Sequence, residues 1–259
     1  MTIRFLMAVI LAVLIGRTAR AETLAVDEAR QVILVLSENW TASTASLQRI
    51  ERDASGAWQA AGSPYPVSLG KAGLAWGRGL QPAVSGGDPV KHEGDLRAPA
   101  GIFELGTAFG YGPAPAGLKL PYLQSTAARE CVDDPKSVYY NRLIDRPPAG
   151  DADWKSAEKM LRKDVLYKQG IVIHQNSSPA EPGAGSCVFL HIWRSPKSPT
   201  VGCTAMAEAE IAALLGWLDP AKHPLLIQMP RPAYERYRTT WHLPDIAQDR
   251  RTGASMGDP

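Results

Sequence analysis

Apolar residues in this chain recur mostly at alternate positions, in short runs punctuated by glycine and proline, and that pattern predicts strands. Residues 31–36 (QVILVL) read as a buried strand from their β-branched, apolar content. Residues 44–52 and 57–60 flank Asp53-Ala54-Ser55-Gly56, which predicts a hairpin turn. Short strands are expected at 66–70 and 73–77, and Pro99 with Gly101 predicts a tight turn before a strand at 102–105. Residues 171–174 and 224–229 give two more strands, while 110–122 reads as a loop and 175–185 as a flexible crossover. Two helices are expected. One spans about 154–163, capped by Asp151 or Asp153. The other carries Ile211, Leu214, Leu215 and Leu218 at the i, i+3, i+4, i+7 spacing of one buried face and stops before Pro220. Strands at this density predict a mainly β fold with few peripheral helices. Residues 234–259 are polar and turn-rich, and read as a surface-wrapping or disordered tail.

One stretch carries chemistry. In VFLHIWRSPKSPTVGCTAM, starting at Val188, an alternating strand puts Val188, Leu190 and Ile192 on one face and Phe189, His191 and Trp193 on the other. A Pro/Ser/Lys loop follows, then Thr200-Val201-Gly202-Cys203, which the pattern places at the mouth of the second helix. A helix N-terminus favours a thiolate, and His191 is near enough in sequence for the loop to return its imidazole to the sulfur. A thiol, a base and backbone amide donors are what acyl transfer through a thioester needs. His174, on the neighbouring predicted strand, is the rival base, and reads equally as a substrate-site neighbour or a core histidine. His92, Glu93 and Asp95 do not make a metal site, because no HExxH or CxxC spacing accompanies them. Asp133 and Asp134 read either as substrate groups or as an Asx turn before Pro135.

The first 21 residues join a charged start to an apolar run and an Ala-Arg-Ala ending, which predicts a secretory signal cut after Ala21. Its loss removes three arginines and no acids, so a formal charge of +2 becomes −1. No nucleic-acid surface is expected from that balance, and no membrane attachment after cleavage. The remaining 22–233 are long enough for one sizeable domain. Three cysteines in an exported chain leave at least one thiol free, and Cys131 with Cys187 are the pair that could be joined.

With those residues in view, the chain resembles the L,D-transpeptidases of the YkuD type, enzymes that remodel peptidoglycan. FLHIW followed by TVGC is similar to the family's histidine strand and [S/T]-x-G-C loop, and APAGIF at 98–103 is similar to its T-P-x-G-x-F turn. The runs GKAGLAWG, KHEGD, CVDDP, YYNRLID and GSCVFLHIWR extend the likeness over roughly residues 65–230. The resemblance implies a β-sandwich-like, mixed-sheet core and a periplasmic enzyme that acts on stem tetrapeptides without a cofactor. In it Cys203 is the nucleophile and His191 the base. Amides around Gly202 and Thr204 form the oxyanion hole, and Thr200 shapes the loop. Arg194, His174, Trp193, Asp133 and Asp134 are candidate substrate contacts. The sequence departs from the family at Val201 and Ala205, where a histidine and an arginine are usual, so Arg194 is the expected substitute for a carboxylate. The acceptor is an amine, a wall-attached protein, or water in a carboxypeptidase or amidase; the non-catalytic rival is a wall-binding module.

Overall fold

The computed structural model describes residues 24–84, 86–148 and 151–245, so the expected signal segment lies outside the described residues. After a short helix α1 (Ala25–Glu28) the chain lays down β1 (Gln31–Ser37), the hairpin β2 (Thr44–Arg52) and β3 (Trp58–Ala60), then β4 (Tyr65–Ser68) and β5 (Leu74–Trp76). A long strand, β6 (Ala98–Gly110), follows, with β7 (Tyr122–Gln124) beside it. Next come three short strands, β8 (Arg129–Val132), β9 (Leu143–Asp145) and β10 (Ala157–Lys159). The chain finishes through β11 (Gln169–Ile173), β12 (Phe189–Ile192), β13 (Thr204–Met206), α2 (Glu208–Trp217), β14 (Leu225–Pro230) and α3 (Arg231–Tyr237). The fold is therefore mainly β. No helix among the described residues is long and apolar enough to cross a membrane.

Where the resemblance implies a sandwich-like, mixed-sheet core, the observed core is one mixed sheet that closes on itself. Its order runs β1-β14-β6-β11-β12-β13-β4-β2 and returns to β1, which pairs with β14 on one side and β2 on the other. Closure leaves these eight strands without an open edge. Two pairs, β1–β14 and β12–β13, are parallel and the rest of the circuit is antiparallel. The predicted alternation along β12 holds. Val188, Leu190 and Ile192 join the main core with Ile211, Leu214, Leu215 and Leu218 of the α2 segment, whereas Phe189 faces a second cluster. That second cluster holds Phe109, Met160, Tyr167 and all three cysteines. It is covered by a separate sheet of order β10-β8-β9, tied down by a disulfide between Cys131 and Cys187.

Four local expectations are corrected. The helix at 154–163 is absent: Ala157–Lys159 is β10, whose ladder with β8 satisfies its backbone. Pro99 and Gly101 lie inside β6 rather than in a turn. Pro99 pairs with Ala75 of β5, and its carbonyl accepts from the buried Gln228 amide, so the missing N–H is tolerated. The crossover 175–185 is pinned rather than loose, because the buried Gln175 and Asn176 amides bond the carbonyls of Ala184, Glu181 and Gly185. Finally, residues 234–245 do wrap the surface, but as an ordered part of the fold. Tyr234, Trp241 and Leu243 are buried, and Tyr237 stacks on Trp241 with centroids 4.0 Å apart, both edge-on to Trp76. The boundary expected after residue 233 falls inside α3.

Candidate active site

Thr200 builds the loop that carries the sulfur. Its N–H donates to the Leu69 carbonyl, and its own carbonyl accepts from Lys71 N–H, which anchors the loop to the chain after β4. Its hydroxyl donates to the Cys203 carbonyl at 2.6 Å and accepts from Gly202 N–H at 3.1 Å. Gly202 has φ +154°, and a Cβ there would stand 3.3 Å from the Arg97 carbonyl, so the residue before the cysteine must be glycine.

Cys203 does not open a helix. Thr204–Met206 forms β13, paired with β12 and β4, and the helix begins only at Glu208. A helix dipole acts within its first turn, so α2 gives the sulfur little help. Instead Sγ accepts from the Phe189 N–H at 3.4 Å and donates to the Cys187 carbonyl at 3.7 Å. Burial, and next the Glu158 carboxylate, push the thiol up to about 12.

In the parallel register Leu190 faces Thr204 and His191 faces Ala205, which puts Cys203, Ala205, Phe189 and His191 on one face. His191 is 6% exposed and its Nδ1–H donates to the Ile192 carbonyl at 2.7 Å, leaving Nε2 as the acceptor nitrogen. Burial lowers its pKa to about 4. Sγ and the ring share no hydrogen bond; both line a cleft of about 520 Å³. Moving a proton from a thiol near 12 to an imidazole near 4 costs on the order of 10 kcal/mol, so the resting pair is neutral.

Of the other predicted residues, Thr200, Trp193 and Arg194 line the same cleft, and Arg194 makes no ion pair among the described residues. Ala205 is fully covered beside Cys203, and Val201 stands exposed at the rim. Neither Gly202 nor Thr204 lines the cleft. The Gly202 N–H is taken by Thr200, and Thr204 is buried with its hydroxyl donating to Gln228. The Cys203 N–H has no acceptor among the described residues, which leaves it a candidate donor to an oxyanion. His174 belongs elsewhere, in a groove with Glu104, Asn176 and Ser177. Asp134 builds the Asx turn: Lys136 and Lys155 N–H donate to it, holding its pKa below the usual carboxylate range. Asp133 also lies outside the cleft lining, with Oδ1 buried and without a hydrogen-bond partner.

Three ionisable cleft residues escaped sequence reasoning: Glu158, Arg162 and Tyr167. All sit in or just after the segment read as a helix; Glu158, Lys159 and Met160 run charged, charged, apolar, so no alternation in the sequence announced the strand. Tyr167 lies edge-on to His191 with centroids 5.3 Å apart and donates its hydroxyl to Glu158 Oε2. Arg162 stands over the Tyr167 ring. Burial holds the Glu158 pKa above its ordinary value despite the Tyr167 hydrogen bond and the Arg162 charge. The cleft thus holds a free thiol, an acceptor imidazole and charged walls. Comparison with family models, with curated proteins and with solved structures returned no match.

Proposed function

We propose that the protein is an exported, cysteine-dependent acyltransferase that acts on peptidoglycan stem tetrapeptides as an L,D-transpeptidase. The observation that carries this reading is the shared face of β12 and β13. It sets the one free thiol, Cys203, on the face that carries His191, whose Nε2 is unprotonated, at a cleft of about 520 Å³. Sγ attacks the carbonyl joining the third residue to the terminal D-amino acid as its proton passes to Nε2. The carbonyl electron pair moves to oxygen, facing the Cys203 N–H. Collapse breaks the C–N bond, the imidazolium protonates the departing amine, and a thioester remains. Because the resting pair is neutral, proton loss from sulfur accompanies bond formation rather than preceding it. Arg194, at the cleft and without an ion pair among the described residues, suits a substrate carboxylate. Export is supported by the Cys131–Cys187 disulfide, which fits an oxidising compartment such as the periplasm.

A carbapenem is expected to add its mass to the intact protein at Cys203 alone, and Cys203→Ala to abolish the adduct. An unlabelled wild-type protein would sink the reading. Digestion of purified muropeptides then separates acceptors: cross-linked dimers for an amine, tripeptides for water.

A further inference from the structure

Glu158 is a carboxyl with one of its two oxygens free of any protein partner among the described residues, in the cleft that holds the Cys203 sulfur. Its Oε2 accepts from Tyr167, while Oε1 has no partner among the described residues. The neighbouring cation does not pair with it: Arg162 gives Nε and one Nη to Asp164, each at 2.9 Å. Lys91 is likewise committed, to Asp95. Tyr167 touches this carboxyl, and Arg162, Asp133, Glu93 and the Cys203 thiol act on it electrostatically, Arg162 being the one cation in that set. An under-compensated, half-buried carboxylate is costly, and an arriving cation relieves that cost.

We propose that Glu158 is a third catalytic group, which holds the ammonium of an amine acyl acceptor and takes its first proton. This rests on the thioester reading above. A primary amine enters as R–NH3+ and passes one proton to the Glu158 carboxylate, which returns it to water through the cleft. The nitrogen lone pair forms the C–N bond to the thioester carbonyl as a second proton moves to His191 Nε2. The C–S bond then breaks with its electron pair on Sγ, and the imidazolium proton restores the thiol. Water brings no charge for Glu158 to hold, so the carboxylate favours amine over water. Tyr167 is its positioning residue. The elevated affinity of this carboxyl for protons also suits a base working near neutrality.

The test loads Cys203 with a stem tetrapeptide and follows capture of the thioester by Nα-acetyl-lysine, by hydroxylamine, which is uncharged at neutral pH, and by water. In Glu158→Gln the adduct is expected to form, capture by Nα-acetyl-lysine to fall about 100-fold against hydrolysis, and capture by hydroxylamine to hold. Equal losses with both amines, or no loss, overturn the inference while the acyl-enzyme stands. No adduct on the wild type overturns both. Should the variant fail to load, the wild type decides. Its rate with Nα-acetyl-lysine should persist well below that amine's own pKa and fall only as Glu158 protonates. A rate that tracks the uncharged amine overturns the role.

Discussion

A thiol that resists ionisation shares its cleft with an imidazole that resists protonation, and the imidazole leaves a mark on stability. His191 titrates near its ordinary 6.5 in the unfolded chain and near 4 when folded. Between those values the unfolded chain binds more protons, so folding stability falls as pH drops through that window. The loss approaches roughly 3 kcal/mol by pH 4. Urea unfolding at pH 7 and pH 4.5 should show it in the wild type, and His191→Gln should lose correspondingly less. Identical acid losses would assign the effect to other groups. At this scale Cys203, His191 and Thr200 were legible, because a glycine-cysteine step and an alternating strand are local signals. Glu158, Arg162 and Tyr167 were not: Glu158 is placed by the pairing of β10 with β8, and Arg162 and Tyr167 lie in the irregular stretch between β10 and β11, where no periodicity marks them.

Among the elements, the small β10-β8-β9 sheet is held by unequal ties. Its pairs Arg129–Asp145 and Arg146–Glu130 each keep one partner substantially exposed and are worth up to about 1 kcal/mol. The disulfide closes a loop across 56 positions and is worth about 4 kcal/mol. It also reaches the chemistry from both ends. Cys131 pairs in register with Glu158, and the Cys187 carbonyl accepts from the Cys203 thiol. The double variant Cys131→Ser, Cys187→Ser should therefore lose about 4 kcal/mol in urea and label more slowly with a carbapenem even where fully folded. Unchanged labelling of the folded fraction would reduce the bridge to a staple. Sequence reading succeeded for β1, β2, β12, β14 and α2, whose own periodicity specifies them. It failed for β10 and β13, three-residue strands that exist because a neighbour's ladder is present.

Over the whole molecule, strand density made a mainly β fold legible, but nothing local in residues 31–37 announces two partners, Thr44–Arg52 on one side and Leu225–Pro230 on the other. The same holds at the C-terminal end. A polar stretch hides the buried Tyr234, Trp241 and Leu243, and the Trp76 ring that Trp241 meets edge-on lies more than a hundred positions upstream. The closed sheet also changes what the residues between the histidine and the cysteine are for. Ladder bonds between β12 and β13 hold the pair side by side, while residues 194–197 arch outside, exposed. A chain severed by limited trypsin digestion after Lys197 should migrate as one particle, its two fragments parting only in denaturant, and still take up carbapenem on the downstream piece. If the nicked protein is inert, the arch is a working part; if it still reacts, the arch is merely a bridge between two halves of a site that the barrel assembles.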